Sequence, residues 1–105
     1  MLNTKKLLTN ILTKFIIVGD LVMSSSATVA ANAGTHEFLL DMTKANYKPI
    51  ALASLGKNGG ANGQLAISHW YFAGNTLKVT IVNNTSTART IGVEARAIYV
   101  RGGTS

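Results

Sequence analysis

The sequence predicts a mostly β protein, a small antiparallel β-sandwich of jelly-roll-like form preceded by a short N-terminal helix. Short alternating or β-branched segments recur from residue 27 onward, with Gly-, Asn- and Ser-containing turns between them. The 105 residues are 47% hydrophobic, which is enough for one modest core. The chain has no Cys, so a disulfide framework and a thiolate metal site are both excluded.

The predicted helix rests on the spacing of four apolar residues, namely Leu8, Ile11, Leu12 and Phe15. They recur at i, i+3, i+4 and i+7, which places them on one face of a helix. This face either packs on its own domain or forms the end of a parallel bundle, with Leu8, Ile11 and Phe15 as the oligomerisation seam. Barely two heptads are present, so spacing alone favours packing on the same domain.

A connecting strand follows in "FIIVGDLVM", with Gly19-Asp20 as a turn or bulge. We therefore divide the chain into residues 1–26, the helix and connecting strand, and residues 27–105, the β-sandwich domain. Ala31-Asn32-Ala33 has the small-x-small form of a signal-peptidase site. Lys14 and Asp20 interrupt the apolar run before it, so we expect the N-terminus to be retained.

Alternating patterns define the strands of the predicted sandwich. They span 36–42, 48–55, 64–72, 76–83 and 89–100, with a loop at 56–63 and turns at 73–75 and 83–88. The strand 76–83 should point Leu77, Val79 and Ile81 inward. The last strand should do the same with Ile91, Val93, Ala95, Ala97 and Tyr99. In 64–72, alternation places Leu65, Ile67, His69 and Tyr71 on one face and Ala66, Ser68, Trp70 and Phe72 on the other.

The residues that carry most enzyme chemistry do not converge in this sequence. The two histidines, His36 and His69, lie in different segments and lack further metal ligands. Glu37 and Asp41 share a strand face but lie roughly 13 Å apart, too far for paired carboxylate catalysis. We therefore expect a non-enzymatic protein with no cofactor and no metal site.

The aromatic cluster "HWYF" at 69–72 has two interpretations. It is either a buried core strand or an exposed platform on which a sugar or a nucleobase stacks. A platform for an anionic ligand needs neighbouring basic residues, and none is interleaved within the cluster. The sequence favours the core strand.

The net charge indicates what kind of partner binds, and the loops indicate where it binds. Ten Lys and Arg against four acidic residues give a net charge of +6, which favours anionic partners. The Gly- and Asn-rich loops supply Lys57, Asn58, Asn62 and Asn84 as candidate binding residues. Among anionic partners, nucleic acid is less expected than a bacterial surface glycan. No segment of the sequence has the length of a membrane span.

Four short motifs support a family resemblance over about residues 27 to 101. They are "ATVAANAG" before the first strand of the domain, Asn46-Tyr47-Lys48-Pro49-Ile50-Ala51, Asn83-Asn84-Thr85-Ser86, and the final Tyr99-Val100-Arg101. With these motifs the chain resembles the C-terminal β domain of minor structural proteins of bacteriophages and prophages, tail-fibre or receptor-binding proteins. The family pattern has Gly where this chain has Asn46.

The resemblance implies a virion structural protein, a fibre or receptor-binding module that presents loops to a bacterial surface glycan. It implies a homotrimer in contact with other virion proteins, with Leu8, Ile11 and Phe15 at the end of a threefold bundle. Two other classes stay open. One is a secreted bacterial surface or matrix protein whose leader is removed after Ala33. The other is a basic β-barrel that binds nucleic acid.

Overall fold

The computed structural model describes residues 15–59 and 64–102. The described residues form eight strands: β1 (Ile16–Val18), β2 (Val22–Met23), β3 (Ala27–Val29), β4 (Gly34–Asp41), β5 (Tyr47–Asn58), β6 (Leu65–Ala73), β7 (Thr76–Asn83) and β8 (Arg89–Arg101). The pairings among these strands are antiparallel and form two sheets. The prediction of a mostly β, sandwich-like fold is confirmed, while the predicted helix and its residues Leu8 and Ile11 lie outside the described residues.

The larger sheet is built around β8, its central strand. On one side β8 pairs with β5, and on the other it pairs in turn with β1, β2 and β3. The three short strands therefore form one interrupted edge strand, broken at residues 19–21 and 24–26. The turn or bulge expected at Gly19-Asp20 is the first of these breaks. β1 and β2 lie within the segment 1–26, and both pair with β8 of the segment 27–105.

The smaller sheet has the order β4–β7–β6. A two-residue hairpin turn, Gly74-Asn75, joins β6 to β7. Gly74 has a φ of 63°, which is typical of the first turn position in a type II′ hairpin. The other described connections between β3 and β8 lead from one sheet to the other, so the two sheets exchange strands throughout the fold.

The core lies between the sheets and is formed mainly by β7 and β8. Leu77, Val79 and Ile81 of β7 are fully buried, as their alternation predicts. The five predicted inward residues of β8 are also buried, with Tyr99 the most exposed of them at 4%. The alternation identified these residues because β7 and β8 themselves contain no bulge over these positions, the inserted residues lying in their partner strands.

β5 contains two bulges along its pairing with β8. The core-facing residues of β5 include Pro49, Leu52 and Leu55, which lie three positions apart instead of two. Register shifts between Pro49 and Ala51 and between Leu52 and Ser54 each insert one extra residue. All three side chains consequently face the core side of β8, where a regular strand would turn Leu52 toward the solvent.

Asn83, at the end of β7, is a buried polar residue whose side-chain amide is fully hydrogen-bonded. Its Nδ2 donates to the carbonyls of Val29 and Thr87, each at 3.0 Å. Its Oδ1 accepts from the Thr85 amide at 3.0 Å and from the Thr85 hydroxyl at 2.6 Å. One side chain thus joins β3 of the larger sheet to β7 of the smaller sheet and shapes the turn that leads into β8.

Tyr99 joins the sheets near the other end of β8. Its buried hydroxyl donates to the Met42 carbonyl at 2.7 Å, just after β4 ends. Burial raises the pKa of the Tyr99 hydroxyl, and the Asp41 and Asp20 carboxylates raise it further, so the hydroxyl keeps its proton as a donor. A Cβ at residue 19 would overlap the Tyr99 ring, which is why Gly19 fits this break in the edge strand.

We predict that Asn83→Ala destabilises the fold by about 3 kcal/mol, because it leaves several backbone groups without their partner. Asn84→Ala is the matched control, since Asn84 is the exposed neighbour of Asn83 and its removal should change stability by less than about 0.5 kcal/mol. Urea denaturation of both variants measures the difference. Equal stability of the two variants would contradict the assigned role of the Asn83 amide.

Candidate binding surfaces

The structure does not place the four candidate binding residues together in loops. The prediction that the loop begins at residue 56 is wrong, because β5 continues to Asn58. Lys57 pairs with Val93 and Asn58 pairs with Gly92, since β8 is long enough to extend the pairing. Asn62 lies outside the described residues. Asn84 is exposed in the turn after β7, as the sequence predicts.

Lys57 lies on the core-facing side of β5 and is half-buried. Its ammonium donates a hydrogen bond to the Leu65 carbonyl of β6 at 2.6 Å. The bond joins the larger sheet to the smaller sheet where β5 and β6 form the side of the sandwich. A half-buried cation with a short bond to a carbonyl contributes to folding. Its role as a binding residue stays a prediction.

Lys57→Met should lower the free energy of unfolding by about 1 kcal/mol, because the Leu65 carbonyl loses a charged donor. Lys48→Met is the control, as Lys48 lies on the same strand with an exposed side chain. Thermal unfolding should show a lower Tm for Lys57→Met alone, by about 4–8 °C per kcal/mol for a domain of this size. Equal Tm values would place the Lys57 ammonium in solvent.

A bulge in β6 reverses which side chains of the aromatic cluster face the core and which face outward. The register shifts between Ile67 and His69, so that Trp70 lies opposite Val79 and Phe72 lies opposite Leu77. Trp70 and Phe72 therefore share the core-facing side with Leu65 and Ile67. The predicted alternation, which placed His69 and Tyr71 with Leu65 and Ile67, is wrong for this reason.

The aromatic side chains of β6 are less buried than a core strand requires. Trp70 is 41% exposed and Tyr71 is 40% exposed, while Phe72 is half-buried. Trp70 packs edge-on against Phe72, with 6.1 Å between the ring centroids. The preference for a buried core strand is therefore wrong for Trp70 and Tyr71, whereas Phe72 packs partly against the core.

The outer face of the smaller sheet carries a group that we call the aromatic row, formed by Leu39, His69, Tyr71 and Lys78. Tyr71 lies opposite Lys78, whose ammonium is 5.8 Å from the centroid of the Tyr71 ring. The His69 and Tyr71 ring centroids are 5.3 Å apart. Leu39, on the other side of Lys78, is 57% exposed. The row combines an accessible aromatic ring with a cation.

Sequence reasoning missed Lys78 as a neighbour of the aromatic cluster. Tyr71 and Lys78 lie seven positions apart in the sequence, so Lys78 is not among the residues interleaved with the cluster. The signal was nevertheless present in the hairpin. A two-residue turn at Gly74-Asn75 pairs Ala73 with Thr76 and consequently Tyr71 with Lys78.

A second surface lies on the outer face of the larger sheet, and we call it the apolar face. It consists of Ile16, Val18, Ile50, Ile98 and Val100. Ile16 is 51% exposed, Val18 is 60% exposed and Ile50 is 53% exposed. Phe15, the described residue of the predicted seam, is 46% exposed and directly precedes β1. Local sequence patterns do not predict this surface, because it depends on the pairing of β1 and β5 with β8.

Two carboxylates lie on the same outer face as the aromatic row, since Glu37 and Asp41 flank Leu39 on β4. Asp41 accepts from the Thr43 amide at 3.0 Å and from the Thr43 hydroxyl at 2.6 Å, and these bonds lower the pKa of its carboxyl. His36 packs edge-on against Phe38 at 4.7 Å between ring centroids. Within residues 15–59 and 64–102, no three His, Cys, Asp or Glu side chains lie close enough to hold a metal ion.

In the described part of the chain, no helix has the length and apolar character needed to cross a membrane. Comparisons of the chain with protein-family models, with curated proteins and with solved structures found no match. The inference of a function therefore rests on the exposed surfaces of the molecule, above all on the aromatic row.

Proposed function

We propose that this chain is a non-enzymatic structural and receptor-binding module of a phage virion, which contacts a bacterial surface glycan. The resemblance of its motifs over residues 27 to 101 supports the virion class. The observation that carries the binding function is the aromatic row, where the exposed Tyr71 ring lies beside the Lys78 ammonium. We place the glycan contact on this sheet face, with the loops at its ends.

The strand order supports a jelly-roll-like fold. If the interrupted edge strand β1–β3 is counted once, the sheets have the orders edge strand–β8–β5 and β4–β7–β6. This is the interleaved order of a jelly roll with one hairpin fewer than the usual eight strands. Jelly rolls are frequent in viral capsid and lectin domains. The argument from fold to virion is an analogy, since one fold hosts many functions.

The chemistry of the aromatic row suits an acidic sugar. One face of a pyranose ring presents C–H groups, which pack on a flat aromatic ring such as Tyr71. The Lys78 ammonium next to this ring attracts a phosphate or carboxylate on the same sugar. The net charge of +6 favours the approach of an anionic polymer.

We further propose that the module acts as a homotrimer on the virion surface, in contact with other virion proteins, with the Leu8, Ile11 and Phe15 seam at its axis. The pairing of β1–β3 with β8 supports retention of the N-terminal segment. Cleavage after Ala33 would remove Val29, whose carbonyl accepts a bond from the buried Asn83 amide. This observation favours the virion class over a secreted protein with a cleaved leader.

Tyr71→Ala should weaken binding to phosphate-bearing bacterial cell-wall polysaccharide about tenfold, the usual cost of losing one stacking ring. Lys78→Met should weaken binding to the charged polysaccharide but spare a neutral one of the same backbone. Calorimetry with both polysaccharides measures these effects, and Lys48→Met, at an exposed lysine of the other sheet, is the control. Wild-type affinity of both row variants would contradict the proposed site. Salt-steep binding to DNA instead would favour the nucleic-acid class.

A further inference from the structure

We infer that the guanidinium of Arg89, at the start of β8, binds a phosphate group. The site lies at the end of the sandwich where β3, the last residues of β7 and the first residues of β8 meet, which we call the Asn83 end. It goes beyond the proposed glycan contact, because the aromatic row lies on the outer face of the smaller sheet. The ligand is either free phosphate or the phosphodiester of a polymer.

The first observation is the side of the larger sheet on which Arg89 lies. Arg89 begins the inward row of β8, whose next member, Ile91, is buried in the core. Thr90, between them, faces outward, where its hydroxyl lies 3.1 Å from that of Thr28 on β3. Arg89 is paired with the buried Val29, and paired residues share a face. A charged side chain therefore lies at the edge of the core.

The second observation is a buried donor without an acceptor. The Arg89 Nε is shielded from solvent, and within residues 15–59 and 64–102 no atom accepts a hydrogen bond from it. The residue as a whole is half-buried, so solvent reaches other parts of the side chain. A guanidinium is always charged, and an unpaired buried donor of a charged group is costly. An ion or a water molecule commonly supplies the acceptor at such a donor.

The acceptors next to Arg89 already have donors from the protein. The Val29 carbonyl accepts from the Asn83 amide. The Thr87 carbonyl accepts from the same amide and, at 2.8 Å, from the Thr85 hydroxyl. The Asn83 Oδ1 accepts two bonds from Thr85. The network that joins the two sheets thus uses the acceptors around Arg89 and leaves its Nε to a ligand.

The charges of the protein make an anion the better ligand than water. The chain has four acidic residues, Asp20, Glu37, Asp41 and Glu94. Asp20 and Asp41 interact with the Tyr99 hydroxyl, near the opposite end of β8. Glu37 lies on the outer face of the smaller sheet, and Glu94 lies on the outward row of β8. No carboxylate of the chain therefore neutralises Arg89.

A second cation lies near the Asn83 end. The Lys57 ammonium donates to the Leu65 carbonyl at 2.6 Å, and Leu65 is paired with Asn83. Asn83 in turn bonds to Val29, the residue opposite Arg89. Lys57 and Arg89 both lie on the core side of the larger sheet, so their positive potentials add at this end.

The chemistry of these groups selects phosphate. The Nε and one terminal nitrogen of a guanidinium donate two parallel hydrogen bonds, which match two oxygens of one phosphate group. A phosphate keeps further oxygens and negative charge for the neighbouring cation. A single bound water offers one acceptor atom and no charge.

The direct test follows the Nε–H signal of Arg89 by NMR of isotope-labelled protein in phosphate-free buffer. Inorganic phosphate is added at constant ionic strength, with sodium chloride as the reference salt. We expect the Arg89 signal to shift and to saturate with phosphate, while the Nε–H signal of the exposed Arg101, at the far end of β8, stays in place. Absence of a saturable shift would overturn the inference, and this titration needs no variant to fold.

A second titration distinguishes the sources of the phosphate group. Phosphate-bearing bacterial cell-wall polysaccharide replaces inorganic phosphate under the same conditions. A saturable shift with inorganic phosphate alone identifies free phosphate as the ligand, and a shift with the polysaccharide identifies a phosphodiester. Tyr71→Ala should not change the inorganic phosphate titration, so the Arg89 site and the glycan contact stand or fail separately.

Two matched variants separate a site from general attraction. Arg89→Gln should bind inorganic phosphate about tenfold or more weakly, because it loses the charged fork. Arg101→Gln removes the same charge from the other end of β8 and should keep the wild-type affinity. Calorimetry measures both affinities. An equal loss in the two variants would show attraction by net charge and overturn the site.

Arg89→Met tests whether the guanidinium is instead a structural group. In phosphate-free buffer its Tm should equal or exceed that of wild type, because the variant removes an unpaired buried donor and keeps an apolar stem. Phosphate should then raise the Tm of wild type more than that of Arg89→Met, whose response measures the general effect of phosphate on folding. A lower Tm of Arg89→Met with an unchanged response to phosphate would overturn the inference.

Discussion

The buried amide of Asn83 fixes how the two sheets of this protein meet. A buried amide without partners is costly, so the side chain holds Val29, Thr85 and Thr87 at the positions where all four of its hydrogen bonds form. These residues belong to the edge strand of one sheet and to the connection between the sheets. Val29 and Ile91 belong to the buried core cluster between the sheets, together with the inward residues of β7 and β8.

The surfaces of the molecule depend on where the strands are bulged. The shift in β6 directs Tyr71 outward beside Lys78 and turns Trp70 toward the edge of the core. The two shifts in β5 keep Leu52 and Leu55 inward and leave Ile50 outside. One inserted residue exchanges the faces of every side chain after it, so a bulge decides which residues a partner can reach.

The sequence predicted the parts of the fold that pair regularly. Leu77 in β7 and Val93 in β8 were identified as core because unbroken alternation determines the face of each residue. The bulges could not be predicted this way, since they depend on the partner strand as well as on local sequence. Lys57 was placed in a loop because Gly56 and Asn58 are typical of turns, whereas the length of β8 continues the pairing past them. The position of Lys78 beside Tyr71 could be predicted from the register of the hairpin. The apolar face could not be predicted from local sequence, because it depends on the pairing of β1 with β8.

The most direct test of this account is hydrogen exchange of the Asn83 side-chain amide, followed by NMR in D₂O. Both Nδ2 protons are in hydrogen bonds inside the fold, so we predict that their signals persist after those of the exposed Asn84 amide have disappeared. Their exchange should be as slow as that of the β7 and β8 backbone amides. Loss of the Asn83 signals as fast as those of Asn84 would contradict the claim that this amide joins the two sheets.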